Sequence, residues 1–210
     1  MSVSMLVGVY DEATKLAGKA VVRLRLVSML KGFLSICEKS GNLDLDDVRE
    51  VVESCRDARV VVVEGHGFPD RVKVGRASIG LGNAHLLSAE NVYAVACHTA
   101  RSLGHHVVLE GYARGYVGFA DEFVFAIKSI GDPLLDSYGR LFFMPVIHGF
   151  KTLLERRDAE EAARSMREMF REIGDYAFNN LGREGVYLAA LLYYDAKVVR
   201  GLKAKEEGEA

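Results

Sequence analysis

Two short apolar runs, each stopping at a chemically active side chain, restrict the fold of this chain more than any other feature. Val60-Val61-Val62-Val63 leads into Glu64-Gly65-His66-Gly67, and Asn91-Val92-Tyr93-Ala94-Val95-Ala96 leads into Cys97. The first run is β-branched and apolar at every position, the pattern of a parallel strand covered on both faces. The second reads as another buried strand. In open α/β sheets, ligands bind beyond the carboxyl ends of the strands. His66 and Cys97 are therefore expected on that edge, where a thiol and an imidazole can act as nucleophile and base.

The rest of the chain supplies the other layers. Residues 5–10 read as a short strand. Over residues 12–39 the apolar positions Leu16, Ala20, Leu24, Val27, Leu30 and Leu34 recur at helical spacing until Gly41-Asn42. Residues 43–45 are expected as a very short strand, and 46–55 as a helix with Val48, Val51 and Val52 on one face. Glycines and alternation over 71–80 predict a small hairpin or flap, and 114–119 another core strand. Residues 99–110 carry two signals, a strand-like Val107-Val108-Leu109 and Gly111 in helix-stop position. Beyond Asp132-Pro133 the pattern is helical: 134–156, a helix begun by Asp158 and Glu161 as a capping box and running to about 178, and 186–202. Residues 203–210 are expected as a frayed charged tail. With no repeat and no low-complexity linker, residues 1–210 are expected to form one α/β domain, a three-layer sandwich with a mainly parallel sheet and a helical C-terminal portion.

Half of the 210 residues are hydrophobic, enough for a large core. A net charge of -2 lacks the basic excess of a nucleic-acid binder. No run of eighteen apolar residues indicates a membrane span, and the N-terminus lacks the order of a signal peptide. The three cysteines, Cys37, Cys55 and Cys97, are odd in number and widely spaced. They read as free thiols of a cytoplasmic chain, Cys37 and Cys55 being buried on helices. The absence of glutamine is a thermophile tendency. The apolar C-terminal helices point to a possible homo-oligomer.

A strand ending in His66-Gly67 followed by a strand ending in Ala96-Cys97 resembles the caspase-like cysteine peptidases, in particular their gingipain and CHAT branch. The likeness continues through Ala96-Cys97-His98-Thr99-Ala100-Arg101-Ser102-Leu103-Gly104 and Glu110-Gly111-Tyr112-Ala113-Arg114-Gly115-Tyr116-Val117-Gly118-Phe119, and covers roughly residues 58–155. The resemblance favours a helix over 99–110. It implies a caspase-like fold and a Cys-His dyad of Cys97 and His66 acting on a peptide or protein substrate through an acyl-enzyme, without a cofactor. It also implies an oxyanion hole from the N–H groups of Gly67 and Cys97, and a pocket wall for the residue before the scissile bond at Asp121 and Glu122.

Carboxylates at Asp121 and Glu122 would favour Arg or Lys there; Asp70 and Glu64 are further candidates for the same task. His98 is expected to cap or face solvent. His66, His85, Cys97 and His98 are the only ligands that could meet around a metal, and none is expected. Gly80-Leu81-Gly82-Asn83-Ala84 lacks the lysine and preceding strand of a phosphate loop. Two other functions fit the same residues: a catalytically silent caspase-like module that binds a protein partner, and a thiol amidohydrolase or acyl transferase acting on a small molecule.

Overall fold

The computed structural model describes residues 2–32, 35–129 and 131–204. In chain order its elements begin with β1 (Ser2–Gly8), α1 (Glu12–Val22), α2 (Leu24–Leu30), β2 (Ser35–Gly41), α3 (Leu45–Ser54), β3 (Ala58–Glu64), β4 (His66–Phe68), β5 (Arg71–Val74) and β6 (Ala77–Gly80). They continue with β7 (Ala89–Val95), α4 (Leu103–Leu109), β8 (Ala113–Phe119), α5 (Gly139–Arg156), α6 (Ala159–Asn180), α7 (Gly182–Val198) and β9 (Val199–Lys203). Six strands form the central sheet in the order β2-β1-β3-β7-β8-β9. The first five run parallel, and β9 closes the edge antiparallel to β8.

Why the Val60–Val63 run of β3 is apolar at every position follows from the layers on either side. Val60 and Val62 enter the core shared with Val21, Leu24, Phe142, Phe150 and Phe170 of the helices α1, α2, α5 and α6. Val61 and Val63 enter the opposite core, with Val48 of α3, Leu103 and Val107 of α4, and Val72 and Ile79 of the hairpin. Both faces are dry, as parallel sheets require. Strands β4, β5 and β6 form a separate antiparallel sheet, the expected flap. Among the described residues no helix is long and apolar enough to cross a membrane.

Four expectations change. The helix expected over 12–39 ends at Leu30, and Ser35–Gly41 becomes β2, paired in parallel with all of β1. Open backbone edge on β1 outweighs the helical spacing, of which Leu34 lies outside the described residues. Residues 43–45 form no strand: the amides of Arg76 and Ala77 donate to the Leu43 carbonyl, and Asp44 caps α3. The last helix stops at Val198, where Val199 turns extended and joins the free edge of β8. Lys203 is thereby in a strand, whereas 205–210 of the expected tail lie outside the described residues.

The fourth change concerns the thiols. Cys37 lies on β2, not on a helix, and is joined in a disulfide to Cys55 at the end of α3. Helix α3 folds back beside β2 and brings the two Cα atoms to 6.1 Å, within bridging range. Cys97 is the free cysteine.

Candidate active site

The register of two strands builds the site. Glu64, the last residue of β3, pairs with Val95, the last of β7. Side chains alternate along a strand, so Cys97, two residues past Val95, and His66, two past Glu64, continue on the face toward α1. Here β4 begins and the chain turns into the flap. At Gly67 a Cβ would lie 1.7 Å from the Cys97 carbonyl oxygen and 2.5 Å from its nitrogen, so only glycine permits this approach. The amides of Ser102 and Leu103 both donate to the Pro69 carbonyl, tying the turn after Cys97 to the loop after Gly67.

His66 and Cys97 line one cleft of about 140 Å³. Its remaining walls are Ala13, Thr14 and Ala17 of α1, Glu64, Gly65, Val95 and Ala96 of the strand ends, and Phe123 and Phe125 from the loop after β8. The His66 ring is bound to Asp11, with Nε2 to Oδ2 at 2.8 Å, and the Tyr10 ring stands edge-on to it at 5.2 Å. Asp11 also caps α1, its Oδ1 accepting from the Thr14 amide at 2.9 Å. That amide, and then the nearby imidazole, hold the Asp11 carboxyl below its usual range. With Asp11 accepting from Nε2, the proton of a neutral His66 is held there and Nδ1 is left as the basic nitrogen.

Cys97 Sγ accepts a hydrogen bond from the Phe123 amide at 3.3 Å and makes none with His66. Burial pushes the thiol up, the Phe123 amide opposes this, and the charges of Glu122 and Asp195 push it further up. Cys97 is thus a neutral thiol near pH 7, and any nucleophilic role would require its proton to leave. Asp195, on α7, is fully buried; its Oδ1 accepts from the Val124 amide at 3.0 Å, and Oδ2 has no partner. Burial raises its carboxyl to about 8. Glu64, one of the cleft's lining residues, is 1% exposed, and burial likewise holds it well above the carboxylate range.

Asp121 and Glu122 follow β8 at the same sheet edge. Asp121 is engaged, with Arg101 at 3.0 Å and His98 Nδ1 at 3.4 Å from its carboxylate, while Glu122 is exposed beside the thiol. His98 sits in a left-handed conformation, φ 61°, and its amide donates to the Asp121 carbonyl. Asp70 pairs with its neighbour Arg71. Gly80 donates its amide to Asn83 Oδ1 and starts a 3-10 turn, Leu81–Leu87, so that segment is a cap. Among the described residues no three His, Cys, Asp or Glu side chains converge to hold a metal ion. Sequence reasoning missed Asp11 and Asp195. A cap residue directly before α1, and a lone acid in the apolar stretch Leu191-Leu192-Tyr193-Tyr194-Asp195-Ala196, were the available signals.

No family model matches the sequence, and no curated protein is similar to it in sequence. Three solved structures share the architecture over nearly the whole chain. One titled "Structure of Protease" has a TM-score of 0.64 at 11% identity and is matched over 96% of this chain. The Arg-specific cysteine proteinase gingipain R follows with 0.56, 9% and 97%. The fold is that of the caspase-like cysteine peptidases. A complex of Porphyromonas gingivalis RgpB pro- and mature domains superposes with a TM-score of 0.53 at 9% identity over 95% of this chain. This caspase-like chain spans 46% of the length of each of the three. Its six-stranded sheet, mainly parallel, and its helical C-terminal part agree with the fold expected from the His-Gly and Ala-Cys resemblance.

Proposed function

We propose that the chain is a cysteine endopeptidase, with Cys97 as nucleophile and His66 as its base. The observation that carries the reading is one cleft lined by a free cysteine and a histidine whose far nitrogen is held by Asp11. A substrate carbonyl arriving at Sγ would sit beside the Gly67 and Cys97 backbone, whose N–H groups would face the developing oxyanion. The Sγ proton passes to His66 as the S–C bond forms, and His66 returns it to the departing amine. Water then hydrolyses the thioester with His66 again as base. Asp11 holds the ring and stabilises the imidazolium. Glu122 and Asp121 form an acidic rim that draws basic segments to the site.

One observation favours a second reading, a silent caspase-like module that binds a protein partner. Sγ is half-buried, burial pushes its thiol up, and it accepts from the Phe123 amide rather than bonding to His66. Peptide hydrolysis separates the two. A fluorogenic peptide panel should be cleaved by the parent protein. Loss of the base in His66→Ala should lower kcat by about 100-fold or more, and Cys97→Ala should abolish turnover. Hydrolysis that survives Cys97→Ala, or a parent that cleaves nothing and leaves Cys97 unlabelled by peptidyl electrophiles, refutes the peptidase reading.

A further inference from the structure

We propose that the outer face of the flap is a subsite for an acidic side chain on the leaving-group side of the scissile bond, a placement that rests on the peptidase reading. The pairing of its strands defines that face. His66, Lys73 and Ser78 lie opposite one another across β4, β5 and β6, and Phe68, Arg71 and Gly80 form the next row. Directly paired residues, and residues two apart on one strand, share a face. The alternate positions Val72, Val74 and Ile79 are fully buried in the core beneath, so the hairpin is fixed and its other face looks outward. Its middle strand also rests on Gly65, where a Cβ would lie 2.0 Å from the Lys73 carbonyl oxygen.

The charges on this face select the guest. The Arg71 guanidinium stands 4.6 Å from the centre of the Phe68 ring, and the Lys73 ammonium 5.7 Å from it. Both heads are held beside one ring, which reduces the ordering cost of meeting a ligand. The nearby carboxylates are engaged elsewhere: Asp11 with His66 and the Thr14 amide, and Asp70 with Arg71. Among the described residues Lys73 has no carboxylate partner, and the fork of Arg71 keeps donors beyond the Nη1 that meets Asp70. The half-buried Ser78 adds a hydroxyl to the Lys73 row. A carboxylate satisfies these groups, and a basic guest is repelled by them. The direction follows from the chemistry. His66 hands its proton to the departing amine, so the residue bearing that amine begins at His66, in the same row as Lys73. Glu122 stands by the thiol and Lys73 by the imidazole, so the two halves of a substrate meet opposite charges.

The first test needs no turnover. The peptide amides Glu-Ala-Ala and Gln-Ala-Ala, which mimic the released half of a substrate, are titrated into the protein while the backbone NMR signals of Gly67 and Lys73 are followed. Glu-Ala-Ala should bind about five-fold more tightly, the effect of one favourable charge pair that is partly exposed. Lys73→Gln should make the two affinities equal. Equal affinities in the parent, no measurable binding, flap signals that do not move, or an unchanged ratio in Lys73→Gln overturns the proposal. If Lys73→Gln does not fold, Arg71→Gln should reduce the ratio, and an undiminished ratio again overturns it. The second test compares cleavage of quenched fluorogenic peptides that differ only in the residue after the scissile bond, where kcat/KM should fall in the order Glu, Gln, Lys. Selective binding of Glu-Ala-Ala without cleavage of any peptide keeps the subsite and refutes the peptidase. Cleavage that is indifferent to Glu keeps the peptidase and refutes the subsite.

Discussion

Replacing Asp195 by asparagine should flatten the dependence of stability on pH, and the size of the effect follows from its burial. The carboxyl is fully buried and raised to about 8, against an ordinary value of 3.8. Between those values the unfolded chain has released the proton and the folded chain keeps it, so raising the pH favours unfolding. The stability lost in this way grows from about pH 4 and reaches ~4 kcal/mol at pH 7, at about 1.4 kcal/mol per unit. Asparagine can still accept the Val124 amide and does not ionise. Its extra N–H group lacks a partner, at a cost of about 1–3 kcal/mol, but that cost does not change with pH. Urea unfolding of parent and Asp195→Asn at pH 5, 6 and 7 gives the comparison. The stability of the variant relative to the parent should rise by about 2–3 kcal/mol across those two units. Alkylation of Cys97 should also reach its half-maximal rate at lower pH in the variant, since one charge that raises the thiol is gone. Parallel stability curves would refute the assignment of a neutral buried acid near Cys97. Strongly perturbed buried groups of this kind cluster at functional sites.

Two more outcomes can be measured on the same protein. Without reductant, Cys97 should be the thiol that alkylates in the folded protein, and reduction should expose Cys37 and Cys55 at a stability cost of about 3 kcal/mol for a loop of 18 residues; labelling of all three before reduction would contradict the bridge. Asp11→Ala should lose about 1 kcal/mol with the α1 cap and lower peptide hydrolysis through His66, whereas Asp11→Asn should keep the cap and lose only activity, as thermal melts beside a kinetic assay would report.

Where the sequence was legible, the reason is a pattern that only one structure satisfies. The four-valine run has no polar position, so it must be covered on both sides, and residues beyond its end are fixed to the ligand edge. The flap was legible through its glycines and alternation. What misled was local spacing that tertiary pairing overrode. Ser35–Gly41 and Val199–Lys203 continue helical patterns, yet each fills an open strand edge that no local window contains. The disulfide is hidden for the same reason, because local spacing puts Cys37 on a helix whereas pairing with β1 puts it on β2, beside Cys55. Asp11 and Asp195 come from elements remote in sequence from the two motifs, and their partners, His66 and Val124, lie 55 and 71 residues away.

The antiparallel closure by β9 sets an order of assembly during synthesis. Strands β1, β2, β3, β7 and β8 leave the ribosome first, but Phe119 waits for Val199 and Gly115 for Lys203. Until then β8 offers an unpaired backbone edge, the kind that recruits other chains. The same late segment carries Asp195, the acceptor of the Val124 amide next to the residue whose own amide covers Sγ. A nascent chain therefore holds Cys97 long before it holds the anchor that settles the loop over it. The Cys97 thiol is covered in the step that seals the sheet, so exposure to foreign strands and an uncovered cysteine end together.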